Sequence, residues 1–213
     1  MTDAYLTVSS PSSEELLINK SRFIGYAAPC GDEPAALAFL QGLRDQHKTA
    51  THHCYAYIIG QNSGIMRYSD DGEPGGTAGL PIMSVLRGRG VVNCCVVVVR
   101  YFGGVLLGTG GLVRAYTQAA QAALAAAGVA RMERTLTFPA EVPYSVWDKF
   151  RYAADRLPVL LEAPEYGAGV SFSLRCRFGD AEEMLSRLQD AAERKLTVLD
   201  AEESWYPWKI DSQ

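Results

Sequence analysis

The order of apolar and polar residues divides the chain into short elements. Residues 16–28 (LLINKSRFIGYAA) are rich in β-formers and predict one strand, interrupted by Lys20 and Arg22. Residues 33–48 carry Leu37, Leu40 and Leu43 at helical spacing behind Pro34, which predicts an amphipathic helix with His47 near its end. Residues 51–59 (THHCYAYII) read as a strand. A period of two puts His52, Cys54, Ala56 and Ile58 on one face and His53, Tyr55, Tyr57 and Ile59 on the other. A turn at 60–64 and a short strand at 65–68 complete a hairpin. Residues 69–79 (SDDGEPGGTAG) are a loop by composition, and 81–87 a short helical segment bounded by Gly88 and Gly90. The apolar run 91–99 suits a strand covered on both faces. Residues 112–127 form a helix with Leu112, Tyr116, Ala119, Ala123 and Ala127 on one side and Gly128 as its stop.

A second unit follows a boundary near 128–133, dividing the chain into 1–130 and 131–213. Strands are predicted at 134–142, 159–163, 170–178 and 197–203. A helix at 144–157 turns Val146, Phe150 and Ala153 inward. Another at 180–194, capped by Asp180, turns Met184, Leu185 and Leu188 inward. The order βαββαβ is that of a ferredoxin-like domain. The fold class is therefore α+β.

Charge changes this picture only locally. The 213 residues carry a net charge of −4; Lys+Arg and Asp+Glu balance at nine each up to Ala130, so the excess acidity lies beyond it. The total weighs against a general nucleic-acid binder. It leaves room for an anion site in the neutral first part, where local arrangement decides. The five cysteines (Cys30, Cys54, Cys94, Cys95 and Cys176) are odd in number, irregularly spaced and without CxxC, as expected of reduced, buried thiols. The first 13 residues have no basic region followed by an apolar one, so no signal peptide is expected. The run 91–99 is far short of the ~20 residues that span a bilayer. These features point to a soluble, cytoplasmic protein without a membrane contact.

Candidate chemistry concentrates in three places. The first is RYFGGVLLGTGGLVRAY (100–116), with five glycines and two arginines. A helix starting near Thr109 presents unpaired amides and a positive dipole end. Thr109 is the expected cap. Gly110 and Gly111 make sense there if a ligand or another backbone comes close. Arg100 and Arg114 would add charge-assisted hydrogen bonds to an anion. The plainer reading is that Gly103–Gly104 turns the chain and Gly110–Gly111 permits tight packing. Neither a Walker nor a Rossmann spacing occurs, and no cofactor is expected.

The second place is Asp70-Asp71-Gly72-Glu73. Three carboxylates in one loop suit a hard cation, yet such loops more often cap helices, or here would pair with Arg100 or Arg114. The third is His52-His53. Adjacent strand residues face opposite ways, so a shared metal is disfavoured, and a packed histidine or a weak Cys54 nucleophile with a histidine base are the readings left. No metal site is assigned.

KSRFIG (20–25), THHCYAY (51–57), SDDGEPGGTAGLPI (69–82) and VVVVRYFGGVLLGTGGLVRAY (96–116), in this order, resemble the IMPACT family, and within it the bacterial, YigZ-like members. The resemblance covers about 16–129. It implies that the first domain takes the β-α fold of the second domain of ribosomal protein S-five. The second domain would be a ferredoxin-like unit similar to domain V of elongation factor G. The pairing of these two folds implies contact with RNA or the ribosome; eukaryotic relatives act in translational control under amino-acid starvation, which implies a translation-related protein as the other kind of partner, its identity not carried over. Relatives commonly carry a polar residue where this chain has Gly75, so a ligand contact there would fall to backbone or to Thr77. The function expected is a non-enzymatic binding protein linked to translation or its stress regulation, using the Gly/Arg-rich surface. The competing expectations are a metal-assisted hydrolase or phosphotransferase built on the acidic loop with His52 or His53 as base, and a protein–protein module acting through the acidic second domain.

Overall fold

The apolar run that precedes Arg100 lies at the centre of a five-stranded sheet. The computed structural model describes residues 4–208, so the first three residues read against a signal peptide lie outside the described residues. The chain divides into two units, Ala4–Arg131 and Met132–Trp208.

The first unit runs β1 (Ala4–Val8), β2 (Ser12–Ile18), β3 (Ser21–Pro29), α1 (Glu33–Gln46), β4 (His52–Ile59), β5 (Ile65–Ser69), α2 (Gly79–Arg89), β6 (Cys94–Tyr101) and α3 (Gly108–Ala127). The strand order is β2-β3-β6-β4-β5, antiparallel throughout. Strand β6 has no polar residue before Arg100 because both its faces are covered. Cys94, Val96 and Val98 join Cys54, Ala56 and Ile58 under α2 and α3. Cys95, Val97 and Val99 join Tyr57, Ile59 and the Ala36, Leu40 and Leu43 face of α1. The period-two reading of β4 is thus reproduced. On α1, however, Leu37 is exposed, and Ala36 takes the inward place three to four residues before Leu40.

Several bounds differ for local reasons. The single strand predicted over 16–28 is a hairpin, β2 and β3. Ile18 pairs with Ser21, and Asn19 and Lys20 both have positive φ (46° and 66°), the signature of a two-residue type I′ turn. Strand β1 was not expected; it is held by a parallel bridge between Leu6 and Val91. Helix α2 starts two residues earlier than predicted and takes in Gly88; it ends at Gly90, which is left-handed (φ 65°). Helix α3 stops at Gly128. Its alanines allow close approach: a Cβ on Gly25 of β3 would lie 2.4 Å from the Ala119 carbonyl oxygen.

The second unit begins inside β7 (Val129–Val142), at Met132, and continues with α4 (Tyr144–Ala154), β8 (Val159–Tyr166), β9 (Val170–Arg177), a 3₁₀ turn (Phe178–Asp180), α5 (Ala181–Ala191), β10 (Thr197–Val198) and β11 (Glu202–Pro207). Strand β9 lies between β7 and β8, and β10 and β11 pair with β7, all antiparallel. Val146, Trp147, Phe150 and Ala154 of α4 and Ala181, Met184 and Leu188 of α5 share a core with the sheet; Ala154 rather than Ala153 faces in. Asp180 closes the 3₁₀ turn and makes no side-chain cap bond to α5. The last strand is two segments, not one. Among the described residues no helix is long and apolar enough to cross a membrane.

Candidate ligand-binding site

Strand register assembles the site. Arg100, at the end of β6, sits opposite His52 on β4 and opposite Phe23 on β3. All three share the face covered by α2 and α3, because they are in phase with Cys54 and Val98. The loop between β5 and α2 crosses that face, and its three carboxylates go to three different places.

Asp70 accepts hydrogen bonds from the amides of Gly76 (2.8 Å), Ala78 (3.0 Å) and Gly79 (2.8 Å). It caps α2, whose own N-cap residue, Ala78, has no side chain to offer. Burial alone would raise the Asp70 carboxyl; the three amides together outweigh it and hold the group below its ordinary value. Asp70→Ala is therefore expected to lose about 1–2 kcal/mol of unfolding free energy, the range for a lost N-cap, as measured by urea denaturation of the full chain. Asp71 accepts from the His53 amide (2.6 Å) and pairs with Arg44 (3.3 Å). Glu73 is buried, and its Oε1 accepts from Arg100 Nη1 (2.6 Å) and the Tyr116 hydroxyl (2.7 Å).

This divergence corrects the hard-cation reading: among the described residues no three His, Cys, Asp or Glu side chains converge as metal ligands. Thr77 is buried and donates to the Pro74 carbonyl inside the loop (2.6 Å), so it faces no ligand. Gly75 is exposed, and a Cβ there would meet nothing within 4 Å.

The histidines face opposite ways, as expected. His52 Nδ1 lies 2.7 Å from the Asp71 carbonyl oxygen. A carbonyl only accepts, so Nδ1 carries a proton, and Nε2 faces Glu73 Oε2 at 3.8 Å. His53 is buried, its Nε2 has no partner among the described residues, and desolvation pushes it below its ordinary 6.5 against the pull of Asp71. The Cys54 thiol lies 3.0 Å from the Asp70 carbonyl and 3.4 Å from the Tyr116 hydroxyl. Burial raises it far above the ordinary thiol value, which removes it as a nucleophile. Burial, then Cys54 and Glu73, raise the Tyr116 phenol likewise, so it stays a donor.

Arg100 brings no free charge to this site. Glu73 neutralises it at 6% and 4% side-chain exposure. Its guanidinium lies 5.3 Å from the Phe23 ring centre and 5.4 Å from that of Phe102, with Ser21 Oγ 3.4 Å from Nη2. Its Nε has no partner among the described residues. The counter-charge reading of the acidic loop is the one realised.

The glycines also divide. A Cβ on Gly103 would fall 2.0 Å from the Lys20 carbonyl oxygen, so this glycine serves the approach of the β2–β3 turn. Gly104 and Gly108 have positive φ (79° and 68°). Helix α3 starts at Gly108, and the residue before it, Leu107, makes no side-chain cap bond. Thr109 therefore does not cap the helix; it lies within the first turn, where its amide is one of the helix's own unpaired donors. Gly111 packs on Leu107, its Cβ position 2.9 Å from Leu107 Cβ. Gly110 is open except for Arg114 Nη1, 3.7 Å from where its Cβ would be, so that guanidinium lies along the first turn.

Between this helix start and the strand ends is an open cleft of about 400 Å³. His52, Glu73 and Arg100 line it together with Thr51, Pro74, Phe102, Leu106, Leu107, Gly108, Thr109 and Leu112. Sequence reasoning had placed His52, Glu73, Arg100 and Thr109 among its candidates, and the cleft collects them. Pattern alone does not single out Pro74, Phe102 or Leu106; for the last two the signal is an apolar residue on either side of a glycine turn.

The family model described as Impact N-terminal domain matches residues 19–124. The IMPACT family member YvyE of Bacillus subtilis is 38% identical over 172 residues, which are 81% of this chain and 79% of that protein. The chain belongs to the IMPACT family. A second member, YigZ of Escherichia coli, is 47% identical over 116 residues, 54% of this chain and 57% of its own. A crystal structure of a hypothetical protein superimposes with TM-score 0.62 at 33% identity, covering 93% of this chain and 98% of that one. Every residue of the cleft lies inside the stretch matched by the IMPACT model.

Proposed function

We propose that this IMPACT family member is a non-enzymatic binding protein linked to translation or its stress regulation, acting in the cytoplasm. It holds phosphate-bearing RNA, free or in the ribosome, at the start of α3. The observation that carries this reading is the helix start itself. Gly108, Thr109 and Gly110 are exposed, no side chain among the described residues caps them, and Arg114 lies along the same turn. Unpaired amides at a helix N-terminus, with the dipole behind them and a guanidinium beside them, favour an anion. Arg100 enters as a floor already neutralised by Glu73, so Arg114 supplies the net charge.

The reading keeps the fold expectations: a β-α domain of the S-five type over 1–130 and a ferredoxin-like domain of the domain V type over 131–213. The antiparallel order β8-β9-β7, with the last strands returning beside β7, supports the second of these. The hydrolase alternative loses support from the divergence of Asp70, Asp71 and Glu73.

The test is RNA binding by the full chain across a salt series. Binding should weaken with salt, and Arg114→Ala should reduce the slope of log K against log salt by about 0.7 for a single strand. Absence of binding at low salt overturns the proposal.

A further inference from the structure

The cleft has two chemistries, and a bare phosphate uses only one. Its rim is the uncapped start of α3. Its walls are apolar: Leu106 is 86% exposed and Phe102 46% exposed, both lining the same space. A soluble protein gains nothing from leaving an almost fully exposed leucine beside an exposed phenylalanine unless something covers them. At the floor, Arg100 is 5% exposed and gives its guanidinium to Glu73 Oε1, which leaves Glu73 Oε2 facing His52 Nε2 at 3.8 Å. A carboxylate oxygen and an imidazole nitrogen 3.8 Å apart, with no hydrogen bond between them and both residues lining the cleft, are a second, independent sign of a polar guest.

We infer that the cleft takes one unstacked nucleotide of a single-stranded RNA, with the phosphate on the α3 amides and Arg114 and the base between Phe102 and Leu106. This rests on the phosphate-binding reading above and names its occupant.

Size, charge and shape converge on this guest. A volume of about 400 Å³ is at the scale of a small-molecule site. It has no room for a duplex, whose bases are in any case stacked away from protein rings. One face of the Phe102 ring is turned to the Arg100 guanidinium at 5.4 Å, an arrangement that holds an aromatic platform in place. Stacking on such a platform tolerates any base, because every base has a π-face. The floor offers two acceptors, Glu73 Oε2 and His52 Nε2, to which ribose hydroxyls and base amino groups can donate. A single ligand that brings a negative group, a flat apolar ring and a few polar edges within one cleft is a nucleotide. An inorganic anion leaves the walls uncovered, and a purely apolar guest leaves the amides and Arg114 unanswered.

The test uses the full chain and three labelled probes at low salt: a short single-stranded oligoribonucleotide, an abasic backbone of the same length, and a duplex of the same sequence. The single strand is expected to bind about tenfold tighter than the abasic backbone, within the range for stacking one base. Leu106→Ala should erase most of that preference while leaving abasic binding unchanged. Leu106 is a surface residue, and an unaltered circular dichroism spectrum verifies the fold; Phe102→Ala is the second variant. Equal affinity for the single strand and the abasic probe overturns the nucleotide inference and leaves the phosphate reading standing. So does tighter binding of the duplex, or a base preference indifferent to both variants. Failure of all three probes to bind overturns both.

Discussion

Glu73→Ala is expected to cost about 3–5 kcal/mol of stability, the range for breaking a buried ion pair from one side. The magnitude follows from what is left behind. Arg100 is 6% exposed in its side chain and lies against the Phe23 and Phe102 rings, where little water can screen it. Without Glu73 its charge sits uncompensated in the core. The Tyr116 hydroxyl, also fully buried, loses its acceptor at the same time. Removing both charges should cost much less: Glu73→Leu with Arg100→Met replaces the pair by apolar groups of similar volume, and such replacements are often neutral. The double variant thus separates the worth of the pair from the penalty of half a pair. Glu15→Ala is the external control. It breaks a pair with Arg22 that is about half exposed on both sides, and it should hardly register. Urea denaturation followed by far-ultraviolet circular dichroism is the measurement. Tryptophan fluorescence would report the wrong part of the molecule, because Trp147, Trp205 and Trp208 all belong to the second unit. A single loss below 1 kcal/mol would refute the argument.

Gly103→Ala should be comparably severe, at about 3 kcal/mol, the upper part of the range for over-packing. The cause is contact and not backbone conformation, since Gly103 does not have positive φ. A Cβ would sit 2.0 Å from the Lys20 carbonyl oxygen, 2.1 Å from its carbon and 2.5 Å from the Ser21 nitrogen. All three are main-chain atoms of a tight turn and have nowhere to move. The Gly103 amide also donates to Ser21 Oγ (3.2 Å), so a shift that relieved the clash would break that bond. Gly110→Ala is the counterpart with the opposite sign. Its Cβ would meet only Arg114 Nη1 at 3.7 Å, and helix propensity favours alanine by about 1 kcal/mol. Thermal unfolding of the two variants beside the parent should move the midpoint down for the first and up for the second. Two shifts of the same sign would show that contact distances do not govern this loop.

The same contrast shows how far the sequence could be read. Elements made by short-range pattern were legible: the faces of β4, the doubly covered β6, the inward stripe of α3 and its stop at Gly128. Where a partner distant in sequence decided the outcome, they were not. Leu37 lies at the right helical spacing, but it is Ala36 that packs with Tyr57, Val97 and Val99 of the sheet. Asp70 caps a helix that starts nine residues later, so α2 looked shorter than it is. Lys20 reads as an interruption of a strand until its positive φ makes it a turn. In the site, residue types were legible and their pairings were not. Nothing local says that Glu73 takes Arg100 and Tyr116 while Asp70 and Asp71 turn away; register between β3, β4 and β6 sets that. The five glycines of 103–111 read as one feature, and they are several: a close crossing at Gly103, turns at Gly104 and Gly108, and a helix start whose glycines have different neighbours.

The knot of Arg100, Glu73, Tyr116 and Cys54 ties two strands, a loop and a helix into a single buried unit. A guest arriving above it would meet a floor whose position was settled when the polypeptide folded. Little freedom remains to be surrendered on occupancy, so the entropy of ordering falls mainly on the visitor and on the short Val105–Leu107 bend. Recognition of this kind selects among molecules by their fit and not by the protein's ability to reshape itself.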